Sequence, residues 1–574
     1  MRIGDQVRRW ARELPAEPAV IDTHGETGQS GTARCWTWRD LDAEADRLAM
    51  LLLELGVVPG EAVAWQLPNV AEFAALTLAA TRIGAVCCPL MPIFRARELS
   101  DMLRRSKARI IVIPDSFRGR DCPVEIAGVA RAGGLRLEHV VVLSDKPREP
   151  GIAPGDEQPR QGPCLSWHWY ADATARQVPD QGLLERLAPE PGAIAQLMFT
   201  SGTSGEPKGV LHRMDVLTRA AAAQARALGL TSQDRILVPS PLAHQTGFLY
   251  GMWLAFGLGA PQILMPVWDG GAGLDLLRRH RATFIQAATP FLADLVEIVQ
   301  ATGQRPGTLR IFVATGAAIP RHLAERATRV LGAAVCGAWG STETCLGSLS
   351  VPDDEPARVW GTDGRALPGT LLRVTDDRGN VLPPGQEGNF EVHSDCLFAG
   401  YLDRPDLTEQ AVTPDGWYRS GDLAVLDDQG YVRISGRVKD IINRGGEKIP
   451  VAEIEQLLMR HPAVRDAALV AIPDDRLGER ACAFITTVPA PDGPGGPGTE
   501  FGFTEMQDFL DRAQVARQYW PERLEIIDAM PRTQTGKVRK FVLREHARAL
   551  IEAGKHVNGI VNESVRTSVA QESR

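Results

Sequence analysis

The order of apolar and polar runs in the first part of the chain is typical of a parallel α/β sheet. Short apolar runs at Val63–Leu67, Ala85–Cys88 and Arg109–Ile113 alternate with helix-like stretches at Ala71–Ile83 and Arg97–Ser106. Strands that alternate with helices favour parallel pairing, with the helices packed on the faces of the sheet. We therefore predict α/β subdomains in this region.

The same rhythm returns at 284–300 and 309–331, whereas 146–192 is rich in Pro, Gly, Asp and Gln and predicts a connecting loop or irregular surface. After about residue 365 the chain changes to short alternating strands with turn signals, which favour hairpins and a small β-barrel-like part. After Gly436 the pattern changes again, to a segment with its own apolar runs, a Gly- and Pro-rich loop and a helix-like stretch. We predict a large domain over 1–438 and a small mobile α+β domain over 439–574.

Composition excludes several classes of protein. The 574 residues include 63 Lys and Arg against 71 Asp and Glu, for a net charge of −8. Mild acidity gives no electrostatic reason to bind nucleic acid, which needs clustered basic residues. The nine cysteines are an odd number and no C-x-x-C pair occurs, so neither a disulfide framework nor a zinc knuckle is supported. The N-terminus lacks an apolar secretory run, and we expect a cytoplasmic protein.

One long uncharged stretch needs an explanation. From Ile236 to Trp268 the chain has no Asp, Glu, Lys or Arg, which is longer than the ~20 residues of a membrane-spanning helix. Prolines, glycines, His244 and two glutamines interrupt the stretch, and no basic cluster flanks it. We therefore predict no membrane span. A buried core helix and the wall of a ligand pocket are the two remaining interpretations.

The most informative segment is FTSGTSGEPKG, residues 199–209, directly after a strand-like run. Its three glycines and four hydroxyl residues leave main-chain N–H groups free to face an anion, and Lys208 adds a positive charge. The pattern differs from the P-loop G-x-x-x-x-G-K-[ST] because Gly209 follows the lysine. Alone, it would also suit an ordinary surface loop.

Four further motifs change that balance. They are WGSTE (339–343), YRSGD (418–422), GRVKDIINRGGEKIPVAEIE (436–455) and PRTQTGKVRK (531–540). Together with FTSGTSGEPKG, and in this order, they resemble the signature set of the adenylate-forming superfamily. That superfamily includes acyl- and aryl-CoA synthetases, peptide-synthetase adenylation domains and firefly luciferase. The segment CCPLMPIFRARELSDML also resembles ligases for medium-chain and alicyclic acids.

The resemblance implies an ATP-dependent acyl-CoA synthetase that uses Mg²⁺. Such enzymes convert a carboxylic acid to an acyl-adenylate with release of pyrophosphate, and then transfer the acyl group to CoA. Two alternatives stay open, an acyl-AMP ligase that loads a carrier protein and a luciferase-like oxidoreductase. A homodimer is also left open. Because no Asp stands among the residues expected at the acyl site to bind a substrate amine, an amino acid substrate is disfavoured.

The resemblance also implies an ATP site. Lys208 and the loop before it would hold the β- and γ-phosphates, Thr342 would lie near the α-phosphate, and Glu343 near Mg²⁺, which prefers oxygen ligands. Trp339 would cover adenine, and Asp422 would bind the ribose with help from Arg437. The full set of expected ATP-site residues is Thr200, Ser201, Gly202, Thr203, Ser204, Gly205, Lys208, Gly316, Ala317, Ala318, Trp339, Gly340, Ser341, Thr342, Asp422, Arg437 and Lys537, with Glu343 as the expected metal residue.

The expected catalytic residues are Lys537, Glu343, Thr342 and Lys208, and Lys537 is the one expected to drive adenylation. It follows Gly536 in TQTGK, and matches the family lysine that bridges the substrate carboxylate and the α-phosphate. Outside this motif it would be read as an ordinary solvated lysine beside Arg539 and Lys540. The resemblance further implies a hinge at Lys439, about which the small domain rotates. Arg444, Gly445 and Gly446 would then line a tunnel for the pantetheine arm, for which a plain turn is the alternative.

The acyl site is the least determined part of the sequence interpretation. PLAHQTG, residues 241–247, matches a family segment beside the acyl pocket, where His244 would border the acyl carboxylate or the thiol tunnel; a satisfied core histidine is the alternative. Small or apolar residues are expected to line a roomy hydrophobic pocket. They are Phe248, Val313, Ala314, Ala338 and Cys345.

Overall fold

The computed structural model describes residues 2–24, 33–144, 165–200, 207–316, 321–444, 447–474, 477–488, 501–513, 515–533 and 536–552. Within them the helices are spread over the whole chain and follow the predicted rhythm of strands and helices. They are Ile3–Glu13, Trp38–Glu54, Ala71–Arg82, Ala96–Ser106, Cys122–Arg131, Tyr170–Ala175, Gln181–Leu187, Met214–Ala227, Gln245–Gly247, Leu254–Leu258, Gly270–Arg279, Thr289–Thr302, Arg321–Leu331, Pro356–Gly361, Pro405–Ala411, Val451–Leu458, Phe503–Arg512 and Lys540–Glu552. Two 3-10 turns, Val438–Asp440 and Arg517–Tyr519, and the π-helix Phe248–Trp253 complete the helical elements described.

The first large sheet is mostly parallel and carries much of the predicted site at its strand ends. Its spatial order is Arg365–Ala366, Cys345–Leu349, Ala334–Ser341, Ile311–Ala314, Phe284–Ala287, Ile236–Val238, Gln262–Leu264, Pro18–Asp22 and Arg34–Thr37. In this order, the inner strands from Ala334–Ser341 to Pro18–Asp22 are parallel to one another. The strands outside them pair with their neighbours in antiparallel fashion. Parallel strands need crossover connections, which the helices between them supply.

The second large sheet packs against the first through shared helices. Its spatial order is Gly400–Tyr401, Lys208–Arg213, Ile194–Thr200, Val86–Pro89, Ala62–Trp65, Ile110–Pro114, His139–Leu143 and Ser166–Trp169. A small hairpin, Ser116–Phe117 with Arg120–Asp121, follows the strand Ile110–Pro114. One buried apolar cluster joins residues of both sheets to the helices Trp38–Glu54 and Ala71–Arg82. The α/β architecture predicted for this part of the chain is confirmed.

One expectation for this part is wrong. The segment 146–192 does not remain irregular, because its described portion contains a strand and two helices. Ser166–Trp169 pairs in parallel with His139–Leu143, and the helix Tyr170–Ala175 buries Tyr170 against the shared core. Pro, Gly and Asp obscured the short apolar positions from which these elements are built.

The region after residue 365 forms the predicted antiparallel hairpins. Their order in the sheet is Thr370–Thr375, Glu387–Ser394, Tyr418–Leu426 and Val432–Arg437. Trp339 reaches from the first large sheet into the apolar core of this sheet, beside Phe390 and Val392. The antiparallel sheet is thereby joined to the edge of the parallel one.

The C-terminal part has its own sheet and its own apolar clusters. The long hairpin Val464–Asp474 with Gly478–Thr487 is extended by Arg523–Ile526, which pairs with its second strand, and by Ile442–Arg444, which pairs with that strand at Gly478 and in turn with Glu447–Ile449. The helices Val451–Leu458, Phe503–Arg512 and Lys540–Glu552 cover its faces. A large N-terminal α/β part followed by a small α+β part is therefore confirmed.

The uncharged stretch lies in the protein core. It forms the strand Ile236–Val238, a helical segment from Gln245 to Leu258 and the strand Gln262–Leu264. Residues 248–256 are almost completely shielded from solvent by the surrounding elements. In the described parts of the chain, no helix is long and apolar enough to cross a membrane.

Candidate active site

Asp422, Trp339 and Arg437 meet at the junction of the parallel and antiparallel sheets. The indole Nε1 of Trp339 donates a hydrogen bond to Oδ2 of Asp422 at 2.9 Å, and Nε of Arg437 lies 2.9 Å from Oδ1. Asp422 and Arg437 are register partners on neighbouring antiparallel strands. The carboxylate is buried, and the main-chain N–H of Asp422 donates to Oγ of Ser420 at 3.0 Å. These predicted nucleotide-site residues are therefore brought together around a rigidly held carboxylate.

The ring of Trp339 is fixed by its packing. It meets Phe390 edge-on with the ring centroids 4.7 Å apart, and only 8% of the tryptophan is exposed. A Cβ on Gly347 would lie 2.8 Å from Cζ3 of the indole, so this position needs glycine for close approach. The tryptophan therefore orients Asp422, a function that its place in the sequence did not indicate.

Glu343 is held by a tyrosine that the sequence motifs did not single out. The hydroxyl of Tyr401 donates to Oε1 of Glu343 at 2.8 Å, and Nζ of Lys208 lies 4.8 Å from the centroid of the same tyrosine ring. The pKa of Tyr401 is raised, first by burial and then by the charge of Glu343. Tyr401 therefore remains a neutral donor. Its strand, Gly400–Tyr401, pairs with the strand that carries Lys208, and so joins two predicted motifs.

The WGSTE loop is attached to the strand of Lys208 by a buried histidine. Nε2 of His212 lies 2.6 Å from the carbonyl oxygen of Thr342. Burial lowers the pKa of His212 to about 4, so the ring is neutral and Nε2 carries the proton that this carbonyl accepts. Its Nδ1 has no hydrogen-bond partner in the described structure. Ser341 and Thr344 close the same turn through reciprocal hydrogen bonds, and Gly340 lies against the carbonyl of Cys345.

The predicted phosphate loop is described only at its two ends. Thr200 and Lys208 are register partners of neighbouring antiparallel strands. The structure does not describe the residues between Thr200 and Pro207, nor part of the predicted adenine loop after Gly316. The expected site residues among them are Ser201, Gly202, Thr203, Ser204, Gly205, Ala317 and Ala318.

Lys537 is presented on a tight hairpin of the C-terminal part. The N–H of Thr533 donates to the carbonyl of Lys537 at 2.8 Å, and the N–H of Gly536 donates to the carbonyl of Thr533 at 2.9 Å. Arg532 donates to the carbonyl of Gly536 at 2.6 Å and forms an ion pair with Asp466 on the adjacent strand. Gly536 has a φ of +81°, a value that favours glycine.

The side chain of Lys537 points into the N-terminal part of the site. A Cβ on Gly316 would lie 3.9 Å from its Cε. The pKa of Lys537 is lowered, first because protein atoms surround the ammonium and then by the charge of Arg437, while Asp422 and Glu343 act in the opposite direction. Taken as a whole, however, Lys537 is exposed to solvent. The two parts of the chain thus converge on one cluster of charges.

His244 lies beside this cluster at the start of a short helix. Its Nδ1 accepts a hydrogen bond from the N–H of Thr246 at 3.2 Å, which leaves the proton on Nε2. Burial and the nearby charge of Lys537 lower the pKa of His244 to about 3, so the ring is neutral. Asn69 fixes the preceding loop, because its Oδ1 accepts from the N–H of Leu242 at 2.7 Å and its Nδ2 donates to the carbonyl of Ser240 at 2.9 Å.

Most of the predicted acyl-site residues occupy one buried cluster. Phe248, Val313, Ala338 and Cys345 belong to the core between the two large sheets. Ala314 belongs to a different core, on the opposite face of its sheet. Successive strand residues point to opposite faces, so Val313 and Ala314 do not line a common pocket.

The expected thiol-arm face is described only in part. Arg444 forms an ion pair with Glu522 within the C-terminal part. Gly445 and Gly446 lie outside the described residues, as does the side chain of Lys439, whose backbone belongs to the turn Val438–Asp440.

Comparison with known families decides the membership of this chain. Residues 7–402 match the AMP-binding enzyme family, and residues 453–537 match the AMP-binding enzyme C-terminal domain. The chain belongs to this family. The first match alone spans more than half of the sequence, and the two matches lie on the large and small parts of the fold.

Relatives in the AMP-binding enzyme family match nearly the whole chain. A medium-chain fatty-acid–CoA ligase of Escherichia coli (strain K12) is 35% identical, over 95% of this chain and 90% of its own length. A 3-[(3aS,4S,7aS)-7a-methyl-1,5-dioxo-octahydro-1H-inden-4-yl]propanoyl:CoA ligase of Rhodococcus jostii (strain RHA1) is 29% identical, over 94% of this chain and 97% of its own. The crystal structure of ATP-bound MatB from Rhodopseudomonas palustris superposes with a TM-score of 0.79 at 26% identity, over 96% of this chain and 100% of that one.

Proposed function

We propose that this protein is an AMP-forming acid–thiol ligase that activates a hydrophobic carboxylic acid and transfers the acyl group to CoA. In the first step a carboxylate oxygen bonds to the α-phosphorus of ATP and pyrophosphate leaves. In the second step the thiol sulfur bonds to the acyl carbon, AMP leaves, and the thiol proton is released. The observation that carries the proposal is the approach of Lys537 to Asp422, Arg437, Glu343 and His244 within a chain of this family.

The charge cluster suits the first step. A carboxylate and a triphosphate repel one another, so cations must gather them before bond formation. Lys537 would bridge the carboxylate and the α-phosphate, while Lys208 and the loop from Thr200 would hold the outer phosphates. Asp422, oriented by Trp339 and Arg437, offers a fixed acceptor for the ribose hydroxyls.

Glu343 is the residue that would hold Mg²⁺ with ATP. Within the described residues there is no cluster of three or more His, Cys, Asp or Glu side chains that could bind a metal by itself. A lone carboxylate fits a cation that takes its remaining oxygens from phosphates and water. The bound ion would neutralise phosphate charge. The hydroxyl of Tyr401 would keep one carboxylate oxygen of Glu343 in place.

His244 would face the acyl carboxylate as a neutral donor. Its proton lies on Nε2, and its low pKa keeps it from competing with Lys537 as a cation. The apolar wall around the acyl group would be formed by Phe248, Val313, Ala338 and Cys345. A medium-chain or alicyclic acid agrees with these residues and with the names of the relatives.

We place the boundary of the mobile domain at 438/439, with the hinge at Lys439. Rotation there would withdraw Lys537 and bring Arg444, Gly445 and Gly446 to the acyl-adenylate. CoA is the proposed acceptor because the relatives with the greatest coverage include CoA ligases. A carrier protein remains the alternative acceptor for the same tunnel.

The test follows both half-reactions. The protein is given MgATP and a panel of hydrophobic acids, and pyrophosphate release is measured. The same mixtures then receive either CoA or a phosphopantetheinyl carrier protein, and the thioester is detected by mass. We expect pyrophosphate with at least one acid and thioester with CoA. Absence of pyrophosphate with every acid would reject the function, and thioester with the carrier alone would change the acceptor. Oxygen uptake or light would instead indicate an oxidase of the luciferase type.

A further inference from the structure

Three buried glutamines lie among the residues predicted to line the acyl pocket. Gln224, Gln245 and Gln286 are 0%, 4% and 4% exposed. Gln224 is on the helix Met214–Ala227 and Gln286 is on the strand Phe284–Ala287. A wall built only for apolar substrates has no need of three amides, which are costly to bury without hydrogen bonds.

The amides are only half satisfied. Nε2 of Gln224 donates to Oε1 of Gln286, but Oε1 of Gln224 and Nε2 of Gln286 have no partner in the described structure. If both amides are turned over, the pair again keeps one bond and again leaves one donor and one acceptor. The pairing therefore offers a hydrogen-bond donor and an acceptor side by side, whichever way the amides are assigned.

Gln286 lies on the same face of its sheet as Val313, a residue predicted to line the pocket. Gln286 is the register partner of Val313, and partners on parallel strands point to the same face of a sheet. Phe284 and Val313 belong to the core between the sheets, so Gln286, two residues after Phe284, faces that side as well.

Gln245 is a third buried amide near the predicted acyl site. It follows His244 directly, and its Nε2 lies 3.9 Å from the sulfur of Cys345, a weak contact. Its Oε1 also has no partner within the described ranges. The third amide thus follows the residue expected beside the carboxylate and contacts Cys345, one of the residues expected to line the acyl pocket.

We propose that the acid carries a hydroxyl group away from its carboxyl group, and that Gln224 and Gln286 bind this hydroxyl. A hydroxyl both donates and accepts, so it satisfies the two open atoms of the pair, whereas a methylene leaves both unsatisfied. The inference rests on the proposed function and refines it, because the substrate becomes a hydroxylated hydrophobic acid. The pocket wall is then apolar with one polar position.

The test compares acids that differ by one hydroxyl. Octanoic, decanoic and cyclohexanecarboxylic acids are each assayed beside versions with the hydroxyl at every chain or ring position from the third carbon onward, and beside carboxamide versions. Pyrophosphate release gives kcat/KM for each acid. We expect at least one hydroxylated acid to exceed its parent by about tenfold or more, because sites built for a hydroxyl discriminate strongly against its absence.

Variants assign the preference to the pair. Gln286→Met and Gln224→Met should each reduce the hydroxyl-to-parent ratio by about tenfold or more while the parent acids remain substrates. The matched control is Gln262→Met. Gln262 is 0% exposed and its amide is also unpartnered among the described residues, but it lies three strands away from Val313 in the same sheet. This control should keep the ratio of the unchanged protein.

The melting temperature separates recognition from a packing role. Either single replacement leaves the other buried amide without its partner and should lower the melting temperature, whereas the double variant Gln224→Met/Gln286→Met removes both amides and should leave it unchanged or raise it. Lower stability of the double variant with equal losses on parent and hydroxylated acids would mean that the amides only join the helix to the strand, and would overturn the proposal. The proposal would also be overturned if the parent acids were used as well as every hydroxylated acid. If a carboxamide acid were the preferred substrate, the group bound by the glutamine pair would be a carboxamide and not a hydroxyl. If no acid releases pyrophosphate, the proposed function itself fails.

Discussion

Gly536 packs directly on Pro290, so that a Cβ at position 536 would lie 2.7 Å from Cγ of the proline. The contact joins the Lys537 hairpin to the N-terminal end of the helix Thr289–Thr302. Carbon atoms this close would repel strongly, and neither a proline ring nor a tight hairpin gives way easily. The position of Lys537 in the cleft therefore depends on the absence of a side chain one residue before it.

The first prediction concerns this contact. Gly536→Ala should reduce adenylation about tenfold or more, because the hairpin must retreat and take Lys537 with it. Thioester formation from a preformed acyl-adenylate should change little. Gly430→Ala is the matched control, since Gly430 also has a φ of +81° and nothing within 4 Å of its added Cβ. Equal losses in the two variants would show that backbone strain, and not the contact with Pro290, is responsible.

The second prediction concerns the ammonium of Lys537. Lys537→Ala should lower the rate of adenylation by ~10²–10³, the usual cost of removing a group that stabilises developing charge. Transfer to CoA from supplied acyl-adenylate should be largely retained. Stopped reactions that quantify pyrophosphate and thioester separately give the two rates. An equal fall in both half-reactions would be incompatible with the proposed role.

The third prediction concerns the hydrogen bond from Tyr401 to Glu343. Tyr401→Phe removes one bond to a carboxylate, worth about 1.5–3 kcal/mol, so kcat/KM for MgATP should fall roughly tenfold to a hundredfold. Tyr431→Phe is the control, because Tyr431 makes an equivalent bond of 2.7 Å to Asp354 outside the site. Similar effects of the two substitutions on MgATP kinetics would contradict the assignment.

The sequence motifs anticipated most of this site because each motif combines chemistry with a turn that needs particular residues. Asp422, Glu343 and Lys537 could be named for that reason, and the alternation of strands and helices was visible in the apolar runs. Tyr401 lies in a strand of two residues, too short to produce a pattern. The separation of Val313 from Ala314 follows from the period of a strand, which the family resemblance alone does not take into account.

The fourth prediction concerns the indole of Trp339. Trp339→Phe keeps an aromatic ring against Phe390 but removes the N–H that orients Asp422. The preference for ATP over 2′-deoxy-ATP should decrease several-fold, because a carboxylate with one fewer bond grips the ribose less well. Trp268→Phe is the control, since its Nε1 donates to Asp294 at 2.9 Å. An unchanged nucleotide preference in Trp339→Phe would show that the hydrogen bond from Trp339 to Asp422 does not contribute to ribose binding.

The fifth prediction concerns the acid stability of the fold. His212 is fully buried, and its pKa of about 4 lies below the unfolded value of about 6.5, so between these values the unfolded chain binds a proton that the folded chain does not. Stability should therefore fall as the pH falls, by about 1.4 kcal/mol between pH 7.5 and pH 5.5 from this residue.

His212→Gln tests this dependence directly. Glutamine has no titration in this range and keeps an N–H that can donate to the carbonyl of Thr342. Urea unfolding at the two pH values gives the difference in free energy for both proteins. The variant should lose less stability on acidification than the unchanged protein, by about the amount assigned to His212. If both proteins respond equally to pH, His212 does not remain neutral in the folded state, and the bond that fixes the WGSTE loop must be formed by a charged ring.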